Sequence, residues 1–157
     1  MGIKYQKRVR LKDFSYRGCN RYFLTIATHN RLPVFKNPIV VNEILATLKL
    51  LCESYQFNLW AYCFMPDHLH ILIEGREEDS DMRRFVSMFK QKASYYFKQK
   101  FKRKLWQENY YEHILRKDED TRVIARYILE NPVRKGLVRN YSAYLYSGSL
   151  MFDIQEL

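Results

Sequence analysis

Apolar residues follow two rhythms along this chain. In Tyr22–Thr28, Phe57–Met65 and His68–Ile73 they are dense, β-branched or aromatic, and bounded by turn-forming residues. That pattern predicts strands. Phe57–Met65 is apolar on both faces, as a central strand should be, and Pro66-Asp67 joins it to His68–Ile73 in a short antiparallel hairpin. In Pro38–Tyr55 and from about Ser80 to Lys102 the apolar positions recur every three or four residues. That spacing lines one face of a helix. The second helix carries Met82, Phe85, Val86, Phe89, Ala93, Phe97 and Phe101 on this stripe.

Tyr110–Leu115 reads as a short strand and Asp118–Glu130 as a third helix. Asp118, Glu119 and Asp120 then fall in that helix's first turn, where its dipole favours acids. Asn131-Pro132 ends or kinks it, and Gly136 stops any further turn. The order β-α-β-β-α-β-α predicts an α+β fold, a ferredoxin-like (RRM-like) antiparallel sheet with flanking helices. One domain over residues 1–157 is expected. It would have a basic N-terminal arm to about residue 16 and a tail from about residue 140 to which the pattern gives no role.

Composition narrows the class. At 47% hydrophobic residues the chain is too apolar to be disordered. No stretch approaches the ~18 apolar residues of a membrane span, and the first residues lack the apolar run of a signal peptide. Cys19, Cys52 and Cys63 have no CxxC spacing and read as free thiols, so a cytoplasmic protein with no membrane partner is expected.

The net charge of +10 is concentrated. Arg83–Lys104 holds nine basic residues and no acid, and the first twelve residues hold five more, also without an acid. The rest of the chain is net acidic. Helical surfaces ordinarily mix signs, because opposite charges four residues apart stabilise and like charges repel. A strip of like charge suits a polyanion. The candidate DNA-binding residues are therefore Lys7, Arg8 and Arg10 of the arm, with Arg83, Arg84, Lys90, Lys98, Lys102 and Arg103. Among the aromatics, Tyr95, Tyr96, Tyr110 and Tyr111 are candidates for base stacking.

Two of only four histidines stand in His68-Leu69-His70. Residues two apart on a strand project from the same face, so the two imidazoles could share one divalent ion while Leu69, Ile71 and Ile73 enter the core. A bare HxH pattern is also compatible with two histidines on an exposed strand. Tyr127 and Asn131 are one helical turn apart and share a helix face. Tyr127 could supply a nucleophilic oxygen and Asn131 a carbonyl oxygen to metal. Equally, Tyr127 continues the stripe of Val123, Ile124 and Ile128, and Asn131 precedes a proline as turn residues do.

These segments resemble a known family. Tyr62-Cys-Phe-Met-Pro-Asp-His-Leu-His-Ile-Leu-Ile-Glu74 is similar to the strand pair of the HUH single-tyrosine transposases. Tyr127-Ile-Leu-Glu-Asn-Pro-Val133 resembles a helix of their REP-associated tyrosine transposase branch. Trp106-Gln107, Tyr111-Glu112-His113, Arg116 and the stretch Gly18–Phe35 match in the same order. The resemblance runs from about Arg17 to Val138.

It implies the HUH endonuclease fold, with His68 and His70 binding a divalent metal, Mg²⁺ or Mn²⁺, and Asn131 as third ligand. Asn131 stands where related insertion-sequence enzymes carry Gln. Tyr127 would be the catalytic nucleophile, forming a 5′-phosphotyrosine link and a free 3′-hydroxyl. Asp67 would be a turn residue, and His113 receives no catalytic role. The implied activity is metal-dependent cleavage and strand transfer of single-stranded DNA near hairpins, by a monomer or a homodimer. The alternatives are a domesticated hairpin-binding regulator that does not cut, an RRM-like RNA-binding module, and structural zinc at HxH. The absence of an RNP-type aromatic run weighs against RNA, and the lack of a cysteine partner against structural zinc.

Overall fold

The computed structural model describes residues 14–157. Lys7, Arg8 and Arg10 lie outside the described residues. Five strands form one sheet: β1 (Arg21–Ala27), β2 (Phe57–Met65), β3 (His68–Gly75), β4 (Tyr111–Ile114) and β5 (Ser147–Gly148), in the order β4-β1-β3-β2-β5 with every pairing antiparallel. The first four strands have the predicted ferredoxin-like arrangement.

One face of the sheet is covered by α1 (Pro38–Ser54) and α2 (Met82–Phe101). Tyr22, Leu24 and Ile26 of β1 and Leu69, Ile71 and Ile73 of β3 point into this core, each fully buried. They meet Ile44 and Leu48 of α1 and Phe85, Phe89 and Phe97 of α2. Each such side chain contributes roughly 1.5–3 kcal/mol by leaving water. Asn37 caps α1 by accepting from the Ile39 N–H at 3.0 Å, and Asp81 caps α2 by accepting from the Arg84 N–H at 3.1 Å. α2 ends where Lys102 adopts a left-handed conformation (φ 56°).

The other face carries a smaller core under α3 (Thr121–Leu129) and α4 (Asn131–Arg134). A register shift between Leu59 and Ala61 makes this possible. Leu59 points to the first core, whereas after the bulge Tyr62 and Phe64 do so and Ala61, Cys63 and Met65 turn to the second. One extra residue reverses the alternation of the strand. Ala125, Ile128 and Leu129 of α3 pack on Ala61, Cys63, Met65 and Leu72.

Two expectations need correction. The third helix begins at Thr121 rather than Asp118, because the Asp120 carboxylate accepts from the Arg122 and Val123 N–H groups and caps it there. Asp118 and Glu119 therefore precede the helix. Glu119 instead binds His113 Nε2 at 2.9 Å and the Arg116 N–H at 2.9 Å, which fastens the β4–α3 connection and gives His113 a structural partner. As expected, α3 ends just before Asn131-Pro132, at Leu129; the chain re-enters a helix there as α4, and Gly136 (φ 73°) follows its end.

The segment from residue 140 is no loose tail. β5 pairs with Tyr62 and Cys63, the Phe64 N–H donates to the Tyr146 carbonyl at 2.8 Å, and Tyr144, Phe152, Ile154 and Leu157 pack against the second core.

Candidate active centre on the histidine face

Strand periodicity places His68 and His70 together on the second face, between α3 and the β1 side of the sheet. Their Nε2 atoms converge to 3.1 Å. Each Nδ1 has its own partner. His68 Nδ1 donates to Asp67 Oδ1 at 2.7 Å, and His70 Nδ1 lies 2.8 Å from Thr25 Oγ1, its neighbour across the β1–β3 register. An ionised carboxylate only accepts, so Asp67 holds the proton on His68 Nδ1 and leaves a lone pair on Nε2. Thr25 can donate or accept, so His70 can present either a proton or a lone pair at Nε2. Arg31 Nε donates to Asp67 Oδ2 at 3.0 Å and completes the chain.

The electrostatics favour neutral imidazoles. Burial lowers the His68 pKa more than Asp67 raises it. Burial also holds His70 well below the ordinary histidine value, helped by His68 and by the charges of Arg134, Arg31 and Lys135. Burial pushes Asp67 up, but its bond to His68 and the Arg31 guanidinium outweigh that and keep it ionised. Neutral imidazole with its far nitrogen hydrogen-bonded to a carboxylate or hydroxyl is the metal-ligating form. Two nitrogens at right angles and ~2.1 Å from one ion stand ~3 Å apart, so the observed pair fits a divalent cation.

Among the described residues no group of three His, Cys, Asp or Glu is placed to hold a metal. Asn131 is the candidate on this face. It is buried at the junction of α3 and α4, and its amide makes no hydrogen bond to either imidazole.

Tyr127 is 54% exposed, as Val123 is at 63%. The buried side of α3 is Ala125, Ile128 and Leu129, so Tyr127 is not a core tyrosine. Its ring meets Phe23 edge-on at 6.4 Å between centroids, and Phe23 lies 5.4 Å from the His70 ring. Tyr127 thus stands one aromatic ring away from the histidine pair of its own chain. The Arg134 guanidinium lies 4.0 Å from the Tyr127 ring centroid. Tyr111 also faces Phe23, at 6.3 Å.

The cationic strip of α2 is elsewhere. α2 packs on the Leu69, Ile71 and Ile73 side, so the exposed Arg83, Arg84, Lys98, Lys102 and Arg103 lie across the sheet from the histidines, as does Tyr95. Lys90 is half-buried and donates to the Gln107 and Glu108 carbonyls at 2.8 and 3.0 Å, which ties down the loop after α2. The cations whose field reaches the histidines are Arg31, Arg134 and Lys135, which charge-run counting passes over. Asp67 and Thr25 were also missed as partners of the pair. Asp67 adjoins His68 in the chain, whereas Thr25 is found only through strand register.

Comparison with known proteins agrees with this arrangement. A Haemophilus influenzae protein named "Putative REP-associated tyrosine transposase" is 29% identical over 147 residues, covering 87% of this chain and 82% of that protein. The REP-associated tyrosine transposase of Escherichia coli is 29% identical over 95 residues, covering 60% of this chain and 54% of that one. The structure of a REP-associated tyrosine transposase bound to a REP hairpin superposes with a TM-score of 0.73 at 21% identity, covering 89% of this chain and 82% of that one. The family model described as "Transposase IS200 like" matches residues 19–131, from the strand before the hairpin to Asn131 itself. The histidine strand, the tyrosine helix and the sheet that joins them therefore belong to a transposase of the IS200-like family.

Proposed function

We propose that this transposase is a divalent-metal-dependent endonuclease and strand transferase for single-stranded DNA beside a hairpin. His68 and His70, with the Asn131 side-chain oxygen, would hold Mg²⁺ or Mn²⁺, a suitable donor set for such ions. When bound, the ion supplies Lewis-acid polarisation of a non-bridging oxygen on the scissile phosphate. The Tyr127 hydroxyl attacks the phosphorus. A Tyr127 Oη–P bond forms as the P–O3′ bond breaks, the phenolic proton leaves to water, and the departing 3′ oxygen takes up a proton. The 5′-phosphotyrosine keeps the phosphodiester's bond energy, so a 3′-hydroxyl can reverse the step and join strands.

One observation carries the reading: the paired Nε2 atoms at 3.1 Å, with Tyr127 one ring removed through Phe23. With Phe23 in contact with both rings of one chain, Tyr127 would act on the metal site of its own protomer. The cationic face of α2, across the sheet, would hold phosphates of the hairpin at a distance from the reacting strand.

The test uses labelled hairpin DNA with single-stranded flanks and Mn²⁺ or Mg²⁺, followed by a denaturing gel. A covalent protein–DNA adduct is expected, lost in Tyr127→Phe with hairpin binding intact. An adduct that survives Tyr127→Phe overturns the assignment of the nucleophile. Tight hairpin binding with no adduct on any DNA identifies a regulator that does not cut. Mixing Tyr127→Phe with His68→Ala chains should not restore the adduct.

A further inference from the structure

α3 delivers Tyr127 to the histidine face, but a helix position alone does not fix an exposed tyrosine ring. More than half of this side chain is in solvent, where rotamer exchange is fast. Something must hold the ring if its hydroxyl is to meet a phosphate in a reactive pose. Phe23 touches it on one side, edge-on. The other contact comes from beyond the break in the helix.

Arg134 lies in α4, seven residues after Tyr127. Tyr127 is among the last four residues of α3, where the helix itself need not supply every carbonyl with a donor. Arg134 Nη2 donates to the Tyr127 carbonyl at 2.7 Å. The same guanidinium lies with its central carbon 4.0 Å from the Tyr127 ring centroid. One planar group thus binds the main chain and covers the ring of one residue. The other nearby arginine is committed elsewhere: Arg126 pairs with Glu130 at 3.0 Å.

We infer that Arg134 is the positioning residue for Tyr127, holding both its main chain and its ring so that the hydroxyl is presented to the histidine pair. The role in catalysis rests on Tyr127 being the nucleophile; the clamp itself does not. Arginine is suited to this because its planar, delocalised cation stacks on an aromatic face while its edge donates hydrogen bonds. Lysine, a strongly hydrated point charge, replaces neither contact well.

Two measurements test the clamp. The first is single-turnover adduct formation at saturating hairpin DNA. Arg134→Met should lower the rate ~10–100-fold, the scale of effect expected when a reacting group is misplaced by about an ångström. Hairpin Kd should stay within about threefold, and Arg134→Lys should recover little of the rate. A wild-type rate in either variant overturns the proposal.

The second is ¹⁹F NMR of protein labelled with 3-fluorotyrosine, with the Tyr127 resonance assigned by its loss in Tyr127→Phe. That resonance should shift in both Arg134 variants while the other twelve tyrosines stay in place. An unmoved Tyr127 resonance overturns the clamp, as does a general movement of all of them. Should wild-type protein form no adduct, the nucleophile reading fails, and the fluorine spectrum still decides the clamp.

Discussion

Asp67 Oδ1 accepts from His68 Nδ1 at 2.7 Å while its other oxygen holds the Arg31 Nε at 3.0 Å. The carboxylate is pinned by the arginine and in turn pins the imidazole, so His68 is set to present the Nε2 lone pair. Partners of this kind are typically worth 10–100-fold in metal affinity. Asp67→Ala should therefore weaken Mn²⁺ binding by roughly that factor, measured by isothermal titration calorimetry. Thr25→Val, which removes the hydroxyl beside His70 Nδ1, should weaken it in the same direction. Wild-type affinity in both variants would remove the histidine pair as the metal site.

The position of α2 sets its cationic face apart from the histidines. Arg84, Lys98 and Lys102 are exposed on the side of the sheet away from the histidines. Replacing all three by Gln should reduce the salt dependence of hairpin affinity by up to about one log unit per lost phosphate contact. The single-turnover rate at saturating DNA should be unchanged.

Lys90 belongs to the same charge run but behaves differently. Its ammonium serves the Gln107 and Glu108 carbonyls. Lys90→Met should leave the salt slope nearly unaltered and destabilise the fold by ~1–3 kcal/mol, because hydrogen bonds to a charged group are lost. Urea unfolding measures this.

The C-terminal segment should be integral to the fold. Tyr144 donates its hydroxyl to the Phe64 carbonyl at 2.5 Å, across eighty residues of sequence. Tyr144→Phe keeps the ring and loses this bond, so a loss of ~0.5–1.5 kcal/mol is expected in chemical denaturation.

The three thiols should differ sharply. Cys19 is exposed, while burial pushes Cys52 and Cys63 up to about 12 from 9.0. At pH 8 one thiol should react rapidly with a chromogenic disulfide, and Cys19→Ser should abolish that phase. The buried thiols bind their protons more tightly folded than unfolded. Their contribution to stability is full below pH 9 and is lost as pH rises from 9 toward 12. The thermal midpoint should fall over that window, and less so in Cys52→Ala measured against its own neutral-pH value.

Much of the site was legible in local spacing. His68 and His70 share a face because strands alternate, and Tyr127 and Asn131 share one because helices turn every 3.6 residues. What escaped was everything that depends on a second segment. Thr25 meets His70 through the β1–β3 register, 45 residues away in sequence. The exposure of Tyr127 follows from which stripe of α3 the sheet selected, although the apolar run Val123-Ile124 pointed the other way. β5 is two residues of Ser and Gly, which carry no strand pattern of their own and are recruited by the open edge of β2.

The sequence by itself determined the main strands and helices, the ferredoxin-like order of the first four strands, and the residue types suited to the proposed chemistry, because periodicity and side-chain chemistry are local properties. Only the tertiary structure decided that the cationic helix lies behind the sheet, that Asp67 and Thr25 orient the two histidines, and that Arg134 covers Tyr127. Those relationships are set by strand register, by the bulge at Trp60 and by the turn at Pro132. Each is a choice among packings that the same local pattern would also allow, settled by which arrangement buries both apolar faces at once.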